Sequence, residues 1–326
     1  MSELVIGVDL GGTNVRVGAG SLAESSPSEV PAGVDGSAGW PNAELSAATA
    51  AGPGLLVAQI ADLARKVAGN LGTVKAMAVG VPGVVVPAAA RGIDLAPNLP
   101  GLGKIDLAAA LAEQLDVPVV LENDVNLATL GEHRHGRAQG ISNFAFISIG
   151  TGIGMGVVAG GVLQRGTTGA AGEIGFLPLG ADPFDPGNQV HGPLEEAAAG
   201  VGVARRYAEA DGDATGAITA LEVSARAHAG DPRAVALIEE QVRVIALAVQ
   251  AVHSILDPAL VVFGGGIGNR PDFVSRVRDY VARLTRRPPR IETSRLGDRA
   301  GMIGAIALAQ SHAGAATARS PMGAPP

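Results

Sequence analysis

At 326 residues the chain exceeds what one hydrophobic core usually serves, so two domains, or one α/β unit with two lobes, are expected. Hydrophobic residues make up 47% and charged residues 17%, far from the regime of disorder, and the 47 glycines and 21 prolines fall in short clusters without a collagen period. A net charge of −7, with no basic run longer than Arg286 and Arg287, argues against a nucleic-acid surface, and the absence of cysteine excludes disulfides and thiolate metal sites.

In chain order, LVIGVDL (4–10) is a short β-branched run broken by Gly11 and Gly12 and resumed by VRVGAG (15–20), which reads as strand, tight turn, strand. Residues 21–54 are rich in Ser, Pro, Gly and Ala and promise weak strands and loops, whereas 54–72 has helical spacing closed by a glycine. KAMAVGVPGVVV (75–86) reads as a buried strand, 105–117 as a helix, PVVLEND (118–124) as a strand ending in polar residues, and 126–136 as a helix. FAFISIG (144–150) and GMGVVAGGVL (154–163) form a second strand pair around a glycine turn.

A long helix is expected around 231–256, stopped by Pro258, then a strand at 259–266, a helix at 271–284 and a last helix at 301–312. The tail from 313 to 326 has no periodicity and is expected to be disordered. No apolar stretch reaches the ~18 to 20 residues that span a bilayer, and MSELVIGVDLGG has neither a basic n-region nor a cleavage site, so a soluble cytoplasmic protein is expected. The two glycine-turn hairpins lie about 140 residues apart, the spacing of a duplicated domain.

DLGGTN (9–14) and GTGIG (150–154) place Gly and Thr between buried strands, where backbone N–H groups and a hydroxyl converge on phosphate oxygens because glycine has no Cβ to hold a ligand away. A third turn, VVFGGGIG (261–268), follows a strand and precedes a helix, and suits close approach to an adenosine. No P-loop or dinucleotide-binding glycine pattern is present.

LENDVN (121–126) sets Glu122, Asn123 and Asp124 at the C-terminal end of an apolar strand, where open α/β sheets bind ligands. Asp124 there suits a general base for phosphoryl transfer and Asn123 a sugar hydroxyl, although both residues are equally good helix caps. Glu173, alone among small residues in GAAGEIGF, and Glu195 in PLEEAAAG read either as solvated turn acids or as hydroxyl-binding groups; Glu196 reads as a helix N-terminal acid.

Together DLGGTNVRVG, APNLPG (96–101), LENDVNLATLGE, ISIGTGIGMGVVAGG, GAAGEIGF, LEEAAAG, DPALVVFGGGIG and LGDRAGMIGAIALA resemble, in order from residue 5 to about 310, the ROK sugar kinases. These are glucokinase-like members of the actin and hexokinase superfamily, so the resemblance implies an α/β, two-lobed actin-like ATPase fold of ribonuclease H-like repeats with the active site in a cleft. It also implies phosphorylation of a hexose, typically at the 6-hydroxyl, with ATP and magnesium.

By motif position Asp124 is the catalytic base, and Asn98, Asn123, Asp124, Glu173 and Glu195 hold the sugar. Asp9 holds magnesium through water, and Gly11, Gly12, Thr13, Asn14, Thr151, Gly152, Gly265 and Gly266 line the nucleotide. The implied partners are a small sugar or sugar-like molecule and a second or further copies of the chain, as homodimer or homotetramer, with no nucleic acid or membrane. A small lobe of residues 1–118 plus about 297–312 and a large lobe of 119–296 are expected. The ROK repressors carry an N-terminal helix-turn-helix, which is not expected here because the phosphate motif is reached by residue 9.

The chain departs from the family where relatives read GEIGH followed by a cysteine knuckle that binds structural zinc. Here Phe176 stands for the histidine and GADPFDPGNQVHGPLE for the knuckle, so no zinc is expected. His191, Asp182 and Asp185 in that segment read as solvated rather than as a metal set, and Phe176 is expected to fill the histidine's space and pin the loop by apolar packing. A ring in place of a polar partner disfavours a hydroxyl there, which points to an amino sugar or a C7 cyclitol over plain glucose. Two rival readings are a non-catalytic sugar or nucleotide sensor of the same fold and a polyphosphate-dependent glucokinase.

Overall fold

The first buried run becomes the middle of a sheet. The computed structural model describes residues 2–23, 41–86, 93–94, 99, 101–211 and 218–319, which divide into two units. One comprises residues 1–140, 163–171 and 299–326, the other 141–162 and 172–298.

In the first unit β1 (Ser2–Leu10) pairs antiparallel with β2 (Asn14–Ser21), which pairs antiparallel with β3 (Ala43–Ala48). On its other side β1 runs parallel to β4 (Gly72–Val81), which runs parallel to β7 (Val119–Asn123), giving the order β3-β2-β1-β4-β7. Side-chain alternation divides β1 between two layers. Ile6, Val8 and Leu10 pack with α1 (Pro53–Ala68) and α2 (Leu107–Leu115), and Val5 packs with α3 (Asp124–His135) and α10 (Ala300–Arg319). Between β4 and β7 the short β5 (Val84–Val85) and β6 (Ile93–Asp94) make an antiparallel ribbon.

The second unit repeats the plan. β8 (Phe144–Ile149) pairs antiparallel with β9 (Ile153–Ala159) and parallel with β11 (Leu260–Gly264), which is parallel to β12 (Ile291–Thr293); with β10 (Val162–Leu163) at the edge the order is β10-β9-β8-β11-β12. Its helices are α4 (Pro193–Ala198), α5 (Gly200–Asp211), α6 (Ala220–His228), α7 (Pro232–Leu256), the single turn α8 (Gly265–Gly268) and α9 (Pro271–Leu284). Phe263 of β11 meets Phe273 of α9 edge-on, their centroids 6.5 Å apart, within a core to which α7 contributes one face, Val242, Ile245, Val249 and Val252 among it.

Two outcomes differ from the sequence expectation. The first unit runs on to Gly140, past the boundary expected at 118, because β7 completes its sheet and α3 lies in the same layer as α10. The last helix runs to Arg319, past 312, so much of the expected tail is helical; residues 320–326 lie outside the described residues. No helix among the described residues is long and apolar enough to cross a membrane.

Candidate active site

Parallel strands bring their C-terminal ends to one sheet edge, and the register across the first sheet aligns Asp9 with Gly80 and Gly80 with Glu122. Gly11 and Gly12 follow β1, and Asn123 ends β7 with Asp124 directly after it, at that same edge. Gly80 permits the approach, since a Cβ there would lie 3.6 Å from the Asp124 Cα and 2.7 Å from a Leu127 methyl.

Asn123 is the N-cap of α3. Its Oδ1 accepts from Asn126 N–H at 3.0 Å while its Nδ2 donates to the Gly83 carbonyl at 3.0 Å, so the capping alternative is realised and one amide N–H remains for a ligand. The Oδ1 of Asp124 accepts from Val125 N–H at 2.9 Å, which orients the half-buried carboxylate at the positive end of α3. Behind them the buried Glu122 accepts from Asn123 N–H and Asn126 Nδ2, both at 3.0 Å, and from the Arg165 guanidinium.

The first glycine turn is closed by Gly11 N–H donating to Asn14 C=O at 2.9 Å and buttressed by Thr49, whose N–H donates to Thr13 C=O and whose hydroxyl donates to Gly11 C=O. The Gly12 and Thr13 N–H groups take no hydrogen bond among the described residues and are exposed, as a phosphate cradle requires. The Asp9 carboxylate lies against the first turn of α10, where a Cβ on Gly301 would come within 2.6 Å of it. Asn98 lies outside the described residues.

In the second unit the turn at Thr151 and Gly152 joins β8 to β9, and Gly150 C=O accepts from Gly200 N–H at the start of α5. Gly265 has φ +77°, and a Cβ on it would sit 2.5 Å from the Ile149 carbonyl oxygen, so only glycine fits where α8 starts. Gly266 N lies 3.7 Å from where a Gly150 Cβ would be. Beside them opens a cavity of about 260 Å³ whose lining includes Val203, Ser224, Ile267, Arg270, Phe273 and Arg276, a mixture of apolar surface and donors.

Glu173 and Glu195 are neighbours in this unit. Burial raises the Glu173 carboxyl above the ordinary carboxylate value. Burial also raises Glu195, opposed by the Ile153 N–H donating to its Oε2 at 2.6 Å and by His191, and assisted by the charge of Glu173.

The segment that stands for the zinc knuckle is held by side chains. Asp182 accepts from Phe184 N–H, Asp185 accepts from Gly187 N–H, and Asn188 donates to the Asp182 carbonyl. The His191 Nδ1 is 2.9 Å from Glu196, which also takes a guanidinium nitrogen of Arg205 at 3.0 Å. Phe176 is 43% exposed, so the expected apolar plug is not what pins this segment; turns and the His191–Glu196–Arg205 cluster are. Among the described residues no group of three or more His, Cys, Asp or Glu is placed to hold a metal ion.

Residues 5–312 match the ROK family. The chain belongs to that family. This ROK chain is 32% identical over 235 residues to the β-glucoside kinase of Listeria innocua, an alignment covering 72% of it and 78% of the relative. It is 32% identical to an N-acetylmannosamine kinase of Haemophilus influenzae over 64% of its length and 68% of the relative's. Its structure resembles the ROK hexokinase of Thermus thermophilus (TM-score 0.78, 28% identity, 96% and 99% of the two chains). It also resembles a ROK family glucokinase of Streptomyces griseus solved with glucose and AMPPNP (TM-score 0.71, 27% identity, 94% and 99%). The actin-like ATPase fold expected from the motifs is thereby that of its structural neighbours.

Sequence reasoning missed Arg165 and the pairing of Glu196. The signal for Arg165 was a single cation in the Gly/Ala-rich stretch QRGTTGAAGE, with the buried acid that pairs with it 43 residues away.

Proposed function

We propose that this protein is an ATP-dependent kinase of hexoses or hexose-like sugars, amino sugars included, acting at the 6-hydroxyl or its equivalent. The observation that carries the reading is Asp124, a carboxylate oriented by its own helix N-terminus at the strand edge that also bears the Gly12–Thr13 turn. The relatives of this chain phosphorylate β-glucosides, glucose and N-acetylmannosamine, which supports the substrate class and leaves its member open.

Asp124 takes the proton of the acceptor hydroxyl as that oxygen bonds to the γ-phosphorus and the bond from phosphorus to ADP breaks. The spare N–H of Asn123 and the carboxylates of Glu173 and Glu195 are assigned to the sugar hydroxyls, and the burial that raises both carboxyls strengthens hydrogen bonds made there. The N–H groups of Gly12 and Thr13, with Gly11 and Asn14 closing their turn, and those of Thr151 and Gly152 are assigned to the phosphates. Gly265, Gly266 and the adjoining 260 Å³ cavity are assigned to the adenosine.

The Asp9 carboxylate fits a magnesium ion held through water, which when bound neutralises charge on the phosphates. A cytoplasmic location and a homodimeric or homotetrameric assembly belong to the same proposal, on resemblance to ROK enzymes.

A coupled ADP-release assay with ATP and magnesium, over glucose, mannose, N-acetylmannosamine, glucosamine and a C7 cyclitol, tests it. Turnover should fall roughly 10²- to 10⁴-fold in Asp124→Asn. No turnover on any sugar with ligand binding intact would overturn the kinase reading in favour of a sensor.

A further inference from the structure

The cavity beside α8 is walled by two buried polar side chains whose hydrogen bonding is unfinished. Val203 of α5, Ser224 of α6, Gln241 of α7 and Ile267 of α8 all line it, so it lies within the second unit alone. Two of these helices begin at the turns assigned to the nucleotide: α5 at Gly200, whose N–H donates to Gly150 C=O, and α8 at Gly265. The volume of about 260 Å³ lies just under the ~300 to 1,000 Å³ of pockets that take a whole small molecule, and it suits a base.

Gln241 is 2% exposed, and chemistry fixes which way its amide faces. Its Nε2 donates to the Ala198 carbonyl at 2.8 Å; a carbonyl only accepts, so the amide nitrogen lies on that side and Oε1 on the other. Oε1 takes no hydrogen bond among the described residues yet is not sealed in, and the open space beside a side chain this buried is the cavity. Ser224 is also buried. Its Oγ accepts from Arg270 Nη1 at 2.6 Å, and its own proton is spent on no acceptor among the described residues. Asp272 grips the same guanidinium through Nε and Nη2, at 3.3 and 2.9 Å, which holds the serine's donor in place.

One fixed acceptor and one donor thus stand between apolar walls that include Val203, Ile267 and Phe273. A planar base with an amine beside a ring nitrogen satisfies both, the amine donating to Gln241 Oε1 and the nitrogen accepting from Ser224. A 6-oxo base sets a carbonyl oxygen against Oε1, two acceptors with no proton between them. The serine hydroxyl can rotate to accept instead, but Gln241 cannot turn without leaving the Ala198 carbonyl unpaired.

We infer that Gln241 selects the nucleobase of the phosphoryl donor by accepting from the 6-amine of adenine, with Ser224 donating to the neighbouring ring nitrogen. The inference rests on the assignment of this cavity to the adenosine of ATP, and it names the group that tells adenine from a 6-oxo purine.

The test measures kcat/KM, at saturating sugar and magnesium, for ATP, inosine triphosphate and purine riboside triphosphate, which has hydrogen in place of the amine. In the wild type ATP should exceed the purine riboside triphosphate about five- to tenfold, the worth of one hydrogen bond. It should exceed inosine triphosphate by more, because acceptors are then opposed. Gln241→Met keeps the length and removes the acceptor, so the first ratio should fall toward one while KM for the sugar holds. Gln241→Asn, which withdraws the amide by one methylene, should do the same and serves if Met does not fold. Ser224→Ala should slow ATP and purine riboside triphosphate equally, since both keep the ring nitrogen, and leave their ratio unchanged.

A wild-type ratio near one overturns the inference and leaves the kinase standing. A preference for ATP that survives both Gln241 variants takes the selection away from Gln241. Absence of turnover with every donor and sugar overturns the kinase reading; calorimetric binding of ADP and inosine diphosphate then tests the cavity by itself, and equal affinities overturn the inference as well.

Discussion

Arg165→Ala should loosen the strand end that carries the base, and the size of the loss follows from what it leaves behind. The Glu122 side chain is 6% exposed and satisfied by three donors: the Asn123 N–H and Asn126 Nδ2 on Oε1, and the Arg165 guanidinium on Oε2. Without the guanidinium, Oε2 is buried with a charge and no partner. Breaking a fully buried pair from one side costs about 3–5 kcal/mol. Arg165 is 42% exposed, however, and water enters on its side, so the loss should be nearer ~2 kcal/mol, that of an unsatisfied buried acceptor. Glu122→Gln removes the charge but keeps the volume and should cost a similar amount, because its amide can turn an N–H toward the guanidinium.

In the double mutant neither charge is left unpaired, so its loss should be smaller than the sum of the singles by roughly 1–2 kcal/mol. Urea midpoints of the four proteins, compared at constant m, measure this coupling. Coupling below ~0.5 kcal/mol, the scatter of independent sites, would refute the account of Glu122 as a carboxylate held by Arg165.

Three further outcomes are expected. Glu173 has a raised folded pKa, so the folded state binds its proton more tightly than the unfolded state; stability falls as pH rises from the ordinary value of 4.5 through the raised one, and the cost is fully present above it. Glu173→Gln should flatten that decline in urea midpoints, and an unchanged slope would contradict burial as the cause. Gly265→Ala forces a Cβ to φ +77° and to 2.5 Å from a carbonyl oxygen; it should cost more than about 1 kcal/mol and raise KM for ATP more than for sugar, read from paired saturation curves. Chelation with EDTA should stop turnover and leave the thermal midpoint within a degree or so, roughly the shift of a few tenths of a kcal/mol; a large drop in the midpoint would mean that a structural metal holds the fold.

Much of the plan was legible because its signals are local. The two strand–turn–strand hairpins and α9 are written in runs of β-branched residues, glycine pairs and helical spacing, and the structure keeps them nearly residue for residue. What depended on distant partners was not legible. β7 and α3 belong to the first unit because of β4 and α10, and α10 lies some 160 residues downstream in a stretch whose destination no local pattern reveals.

Asn123 shows the same limit within the candidate site, since LEND reads equally as a substrate contact and a helix cap, and the hydrogen bonds to Asn126 and Gly83 show that capping consumes most of its side chain. Phe176 misled for a physical reason: aromatic content invites an assumption of burial, yet apolar side chains are common on surfaces, and the polar residues around it do the holding.

The duplicated plan also explains where the base is supported. β7 followed by α3 and β12 followed by α10 occupy the same places in their two repeats, but only the first carries the Asn-Asp pair, while α10 returns to the first unit and packs on its counterpart. Glycines set that contact. A Cβ on Gly131 would fall 2.4 Å from the Ala300 carbonyl oxygen, and one on Gly304 would fall 1.7 Å from that of Leu127, so the two helices approach backbone to backbone. At such range the α3 axis cannot tilt without driving main chain into main chain, since packed interiors leave no void to absorb the shift. The first turn of α3 bears Asp124, and the first turn of α10 lies against Asp9. One helix pair thus fixes both carboxylates assigned to the transfer, the base and the magnesium support, to a single rigid layer behind the first sheet.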